Sequence, residues 1–206
     1  MITLFHHPYS RAANTLWALE EVGCEYKLEY MDFARGAHKT DALLTHNKMG
    51  KLPTLIDGEQ VITEAAAIAL YLADRYAPGR LAPALDDPAR GTYLRWSFYA
   101  PSVIEPGCMA RANKWEYRAS AAGFGTYQEM LDTISAAIGS GPWLLGDKFT
   151  MADLVFGGTI RYMTMFGMIE KRPEFLAYVE RLSARPAALK AREINERITD
   201  ERALRK

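Results

Sequence analysis

The sequence is short of cysteine, has no excess of either charge and carries no long apolar run. Each shortage removes a class of protein. Cys24 and Cys108 are the only cysteines in 206 residues. They lie far apart and outside any CxxC or metal-ligand spacing, so they are expected as buried thiols rather than as a disulfide or a metal site. Lys plus Arg and Asp plus Glu number 25 each, which leaves no global field to attract nucleic acid or an anionic membrane. No apolar stretch approaches the roughly 18 residues of a membrane span, and MITLFHHPYS has neither the basic start nor the apolar run of a secretory signal. The expectation is a cytoplasmic protein with no nucleic-acid and no membrane partner. No GxSxG surrounds any serine, so a hydrolase triad has no support.

What is present is an ordered series of elements. ITLFHH is a short β-type run, and SRAANTLWALEEVG sets Ala13, Leu16, Trp17 and Leu19 on a helical period before Gly23. EYKLEYMDF alternates like a half-buried strand, and Gly36 opens a short irregular helix to about Leu44. TLIDGEQVIT places two apolar runs around Asp57-Gly58, a hairpin pair. A helix from about Glu64 to Tyr76 follows, giving the order βαβαββα. APGRLAPALDDPARG then concentrates proline and glycine as a linker does, and amphipathic patterns beyond it predict helices near 88–120, 125–140, 150–168 and 173–196. The expected architecture is an α/β N-terminal domain with a mixed sheet at 1–77, followed by an all-α C-terminal domain at 88–206.

Several local features ask for a chemical explanation. GKLPTLIDG sets Pro53 at the threshold of a strand, although proline has no amide donor for a ladder. HPYS has the spacing of the CPYC redox motif, but His7 and Ser10 stand at the cysteine positions, so dithiol chemistry is unavailable. Ser10 opens a helix and is also an ordinary N-cap candidate. His6 and His7 point to opposite faces of a strand, which argues against a shared metal ion, and no metal site is expected. Glu64 stands at a helix start, where its charge suits the dipole in any case. FTMADL holds Thr150 and Asp153 at capping-box spacing, with Phe149 as a staple, and is structural. Pro101 and Pro106 predict a kink or break in the first long helix.

In their order and spacing, GAHKTDALLTHNKMGKLPTLIDG, ITEAAAIALYLADRY and LLGDKFTMADL make the chain resemble the cytosolic glutathione transferase family over essentially its whole length. The first two strings are most similar to the serine-type, phi-like branch of plants and its bacterial relatives. The resemblance implies a thioredoxin-like domain that binds glutathione as co-substrate, with no permanently bound cofactor. It also implies a helical domain that supplies most of the pocket for a hydrophobic electrophile, a homodimer, and a role in detoxification. By the same resemblance the bond before Pro53 is cis, and the free backbone of Leu52 pairs with the cysteinyl part of glutathione like an added strand. Glu64 would hold the γ-glutamyl ammonium and position 65 its carboxylate. His38, Lys39 and Lys51 would approach the glycyl carboxylate.

Ser10 matches the catalytic serine that stabilises the thiolate, with His7 and Tyr9 as neighbours a one-residue shift would promote and Arg11 as a nearby charge. Lowering a thiol pKa by two requires roughly 2.7 kcal/mol. A helix N-terminus supplies about 0.3 to 1 kcal/mol, so a directed hydrogen bond is needed as well. Two positions depart from the pattern: Ala65 stands where serine is usual, which weakens the γ-glutamyl site, and Lys48 stands where proline is common. A non-catalytic binding or regulatory protein of the same fold, and a glutathione-dependent peroxidase or dehalogenase, are the alternative functions. In the helical part Tyr99, Ser102, Ala112 and Trp115 are candidates for the second-substrate cleft, although an aromatic at helical spacing is more often core. The methionines of RYMTMFGMIE are expected as adaptable core.

Overall fold

The computed structural model describes residues 1–139 and 141–204. Contacts divide the chain into two compact units, one formed by Met1–Tyr76 with the chain from Arg185 onward, the other by Ala77–Ala184. In the first unit β1 (Ile2–His6), α1 (Ala12–Val22), β2 (Tyr26–Tyr30), a 3-10 turn (Ala37–Lys39) with α2 (Asp41–Leu44), β3 (Thr54–Asp57), β4 (Gln60–Thr63) and α3 (Ala65–Tyr76) follow the expected βαβαββα order. The sheet order is β2-β1-β3-β4. β1 runs parallel to β2 and antiparallel to β3, and β3 pairs antiparallel with β4, so the sheet is mixed as expected. The hairpin closes at Gly58 with φ 61, a conformation glycine adopts without a Cβ penalty. β1 lies inside the sheet and is buried at Leu4, Phe5 and His6 in succession.

The predicted helix over 173–196 is two helices, α8 (Pro173–Ser183) and α9 (Pro186–Glu201). Pro186 disfavours the helical region for the residue before it, and Arg185 is extended at φ −64, ψ 139. After that break α9 packs on α1. Glu21 of α1, buried, accepts from Arg185 Nε at 2.6 Å and Nη2 at 2.8 Å and from the Trp17 indole at 2.9 Å. Lys190 meets Glu20 at 2.7 Å, and Asn195 Oδ1 lies 2.8 Å from His6 Nε2. Contacts therefore group α9 with the α/β unit, whereas the linear reading carried the all-α segment to residue 206.

The second unit contains α4 (Arg90–Tyr99), α5 (Glu105–Ala112), α6 (Tyr127–Ile138), α7 (Met151–Met165) and α8. The helix expected over 88–120 stops at Ala112. Its prolines neither end it nor break it outright: Pro101 sits in a π-helical stretch, Ala100–Ile104, and Pro106 in the first turn of α5. A wider turn accommodates a missing donor more easily than an α-turn does. Tyr93, Ile104, Phe156, Phe175 and Tyr178 form the buried centre of this unit. A Cβ on Gly157 would stand 2.0 Å from Leu182 Cδ1, so glycine permits the approach of α7 to α8.

The Thr150–Asp153 capping box is present, and Asp153 does more than cap. Buried, it also accepts from the Leu144 amide at 2.7 Å and the Tyr178 hydroxyl at 2.8 Å. Of the methionines expected as core, Met163 is buried and Met165 is exposed. Cys108 is buried as expected, whereas Cys24 is only half-buried.

Candidate functional site

Strand register decides what meets at one end of the sheet. Phe5 of β1 pairs with Thr54 of β3, and Thr54 pairs with Thr63 of β4. The turn that leaves β1 through His7–Ser10, the Leu52–Pro53 segment that enters β3, and the Glu64–Ala65 step from β4 into α3 therefore share that end.

The segment before β3 is held by a residue the sequence reading missed. Buried Asn47 donates from Nδ2 to the Lys51 carbonyl at 3.0 Å and to Thr54 Oγ1 at 3.1 Å, and accepts from the Met49 amide at 3.0 Å. Its signal was faint: an asparagine two residues ahead of the amide it accepts is an Asx turn, which THNKMG allows but does not demand. The bond between Leu52 and Pro53 is cis. The Leu52 side chain packs on Phe5, Met31 and Leu43, while among the described residues its amide and carbonyl enter no hydrogen bond.

Gly50 lets the His38–Lys39 turn lie against this loop. It has φ 57, and a Cβ there would stand 2.5 Å from the His38 carbonyl. Lys39 Nζ donates to the Met49 carbonyl at 2.8 Å. His38 is half-buried, its ring T-shaped to that of Phe33 with centroids 4.8 Å apart, and among the described residues its Nδ1 has no partner. Lys51 is exposed. His38, Lys39 and Lys51 thus lie along one loop pair.

Glu64 has φ 66, the left-handed region that costs an ordinary L-residue about 1 to 2 kcal/mol. It is exposed, and its carbonyl accepts from the Ile68 amide at 2.9 Å, so the strained residue opens α3. Ala65, half-buried, is the first residue of that helix, whose leading amides have no intrahelical acceptor.

Ser10 is half-buried and sits one residue before the cap position, which Arg11 occupies. Its hydroxyl donates to the His7 carbonyl at 2.8 Å and accepts from the Ala12 amide at 3.1 Å. The N-cap reading of Ser10 is therefore shifted by one position while its function, to satisfy a leading amide, is kept. Tyr9 is 58% exposed, and its amide donates to His7 Nδ1 at 3.1 Å. His7 is buried and stacks on Phe33, with centroids 4.2 Å apart and planes at 12°. Burial lowers its pKa; Asp32 opposes that and His38 adds to it. His6 points elsewhere, to Asn195, and burial brings its pKa down to about 4.

In the helical unit, Tyr99 is half-buried against Trp96 and Phe156, while Ser102 and Ala112 are exposed and Trp115 is 55% exposed. Ser102, Ala112 and Trp115 are therefore not core.

Known proteins are similar to this chain over most of its length. Residues 1–74 match the family model described as glutathione S-transferase, N-terminal domain, and residues 117–181 that of the C-terminal domain. Glutathione S-transferase theta-2B of Homo sapiens is 31% identical over 180 residues, 79% of this chain and 72% of that protein. Glutathione S-transferase F14 of Arabidopsis thaliana is 28% identical over 203 residues, 90% of this chain and 80% of that one. Among solved structures, the theta class enzyme of Xanthomonas axonopodis pv. citri with glutathione bound is 30% identical. It has a TM-score of 0.71 and covers 92% of this chain and 96% of its own. The glutathione transferase of Methylococcus capsulatus is 28% identical at a TM-score of 0.79, covering 95% and 99%.

Proposed function

Because this chain belongs to the glutathione S-transferase family, we propose that it transfers glutathione to a small hydrophobic electrophile through attack by the glutathione thiolate. The Leu52 amide and carbonyl pair with the cysteinyl unit of glutathione. Glu64 takes the γ-glutamyl ammonium, and the leading amides of α3 at Ala65 take the neighbouring carboxylate without help from a hydroxyl. His38, Lys39 and Lys51 face the glycyl carboxylate. Ser10 exchanges the His7 carbonyl for the thiolate by rotation of its hydroxyl, an exchange of a neutral acceptor for a charged one. We place the protein in the cytoplasm as a homodimer with a detoxifying role.

The observation that carries this reading is the register that gathers an unpaired peptide unit, a strained acidic residue at a helix start and a serine hydroxyl at one sheet end. The test is calorimetry with glutathione together with turnover of a chloronitroaromatic. Millimolar or tighter binding with turnover that falls in Ser10→Ala is expected. Binding without turnover would establish a binding protein, and turnover unaffected in Ser10→Ala would remove Ser10 from its role.

A further inference from the structure

We propose that His7 is the positioning residue of the thiolate-binding turn: its imidazole accepts the Tyr9 amide and so fixes the backbone from which Ser10 presents its hydroxyl. The inference rests on the function proposed above and adds a residue to it.

His7 holds the turn at two points. Its carbonyl accepts the Ser10 hydroxyl at 2.8 Å and the Ser10 amide at 3.1 Å, and its Nδ1 accepts the Tyr9 amide at 3.1 Å. Because the acceptor is Nδ1, the ring proton of neutral His7 is on Nε2. The ring is held by stacking on two aromatic neighbours. It lies against Phe33 at 4.2 Å and 12° and against Tyr30 at 5.6 Å and 27°. Phe33 is in turn placed by a tight turn in which Asp32 accepts the Arg35 amide at 3.2 Å and the Ala37 amide at 2.9 Å.

The neutral form is the one that holds the turn, since a protonated Nδ1 would set donor against donor at Tyr9. The titratable groups around the ring are Asp32, which favours the cation, and His38, which disfavours it, with His6 adjacent and the hydroxyls of Tyr30, whose ring is stacked, and Tyr9, whose ring is tilted at 50°. A phenylalanine would stack on Phe33 as well as histidine does; what it lacks is the acceptor.

That difference defines the test. His7→Phe keeps the stack and removes the acceptor. His7→Asn removes the stack but carries Oδ1 at the same number of bonds from the backbone as Nδ1. In His7→Phe we expect the glutathione dissociation constant to stay within about threefold, kcat to fall about tenfold and the pKa of the bound glutathione thiol to rise by about one pH unit. In His7→Asn we expect both quantities to return to within about twofold of the wild type. Wild-type kcat and thiol pKa in His7→Phe would overturn the proposal, as would a loss that His7→Asn does not rescue. Should His7→Phe fail to fold, His7→Leu against His7→Asn makes the same comparison. A wild type that binds no glutathione overturns the functional reading and this inference together. Activity that is lost in Ser10→Ala but kept in His7→Phe overturns this inference alone.

Discussion

The two ends of the four-stranded sheet treat polar groups in opposite ways. At the end where β3 finishes, Asp57 accepts from the Tyr71 hydroxyl at 2.8 Å and from the Tyr76 hydroxyl and meets Arg75 Nε at 3.2 Å. The Tyr76 hydrogen bond leads the causes that hold its carboxyl below the usual range. At the end where β3 begins, the Leu52 peptide groups and His38 Nδ1 have no partner among the described residues, and Glu64 is held in a left-handed conformation. A saturated end stabilises the fold. An unsaturated, strained end of the same sheet has bonding capacity left for a ligand, which is where strain is usually found.

Acid separates the two ends most strongly. His6 lies at the open end, and its pKa falls from 6.5 when unfolded to about 4 when folded. The unfolded chain therefore takes up a proton that the folded chain refuses as pH drops through that interval. Stability should fall by about 3 kcal/mol between pH 6.5 and 4 on this account. Asp57 acts lower. Its depressed pKa contributes stability above its ordinary value of 3.8, lost only as pH falls through the folded value. Urea denaturation across pH, repeated with His6→Gln, checks this: the decline between pH 6.5 and 4 should be much reduced in the variant.

Asn47→Ala should be the next largest effect. It leaves the Lys51 carbonyl without one of its donors and a buried site unfilled, costing about 2 kcal/mol by thermal unfolding. The KM for glutathione should rise as Leu52 and Pro53 lose their support. Asp57→Asn, at the closed end, should cost about 1 kcal/mol while leaving that KM within about twofold, so the pair of variants tells a structural end from a binding end.

Ala65→Ser should tighten glutathione about tenfold in calorimetry, because it would add a hydroxyl to the proposed carboxylate site, which has backbone amides only. Glu64→Gly should raise stability by about 1 kcal/mol by releasing the left-handed strain, while weakening glutathione by more than tenfold. Opposite signs for stability and binding at one residue would be the sharpest support for the contrast. A Glu64→Gly protein that is less stable and binds equally well would remove it.

Much of this was legible in the chain because it is local. Asp57-Gly58 specifies a tight hairpin, Gly23 ends α1 with its amide on the Leu19 carbonyl, and Gly36 takes φ 68 ahead of the His38–Lys39 turn. The candidate residues at 10, 38, 39, 51, 52, 53, 64 and 65 came from strings that resemble a family; the register collects the segments of 10, 52, 53, 64 and 65, and Gly50 brings the turn of 38 and 39 against the loop that holds 51. Asn47 was not visible, because a buried amide that bridges two stretches of backbone has no periodicity. The π-helical passage of Pro101 was not visible either, since a proline in an amphipathic pattern signals interruption without saying which wider turn absorbs it.

Composition, turn residues and hydrophobic period by themselves determined the order of elements and the class of each unit, because those choices are made within a few residues of chain. Only the tertiary structure decided that α9 returns to α1, that His6 meets Asn195 across 189 residues and is kept neutral by burial, and that the Ser10 hydroxyl rests on the His7 carbonyl. Burial and partner choice depend on what the rest of the chain brings to the same place, and no local pattern records that.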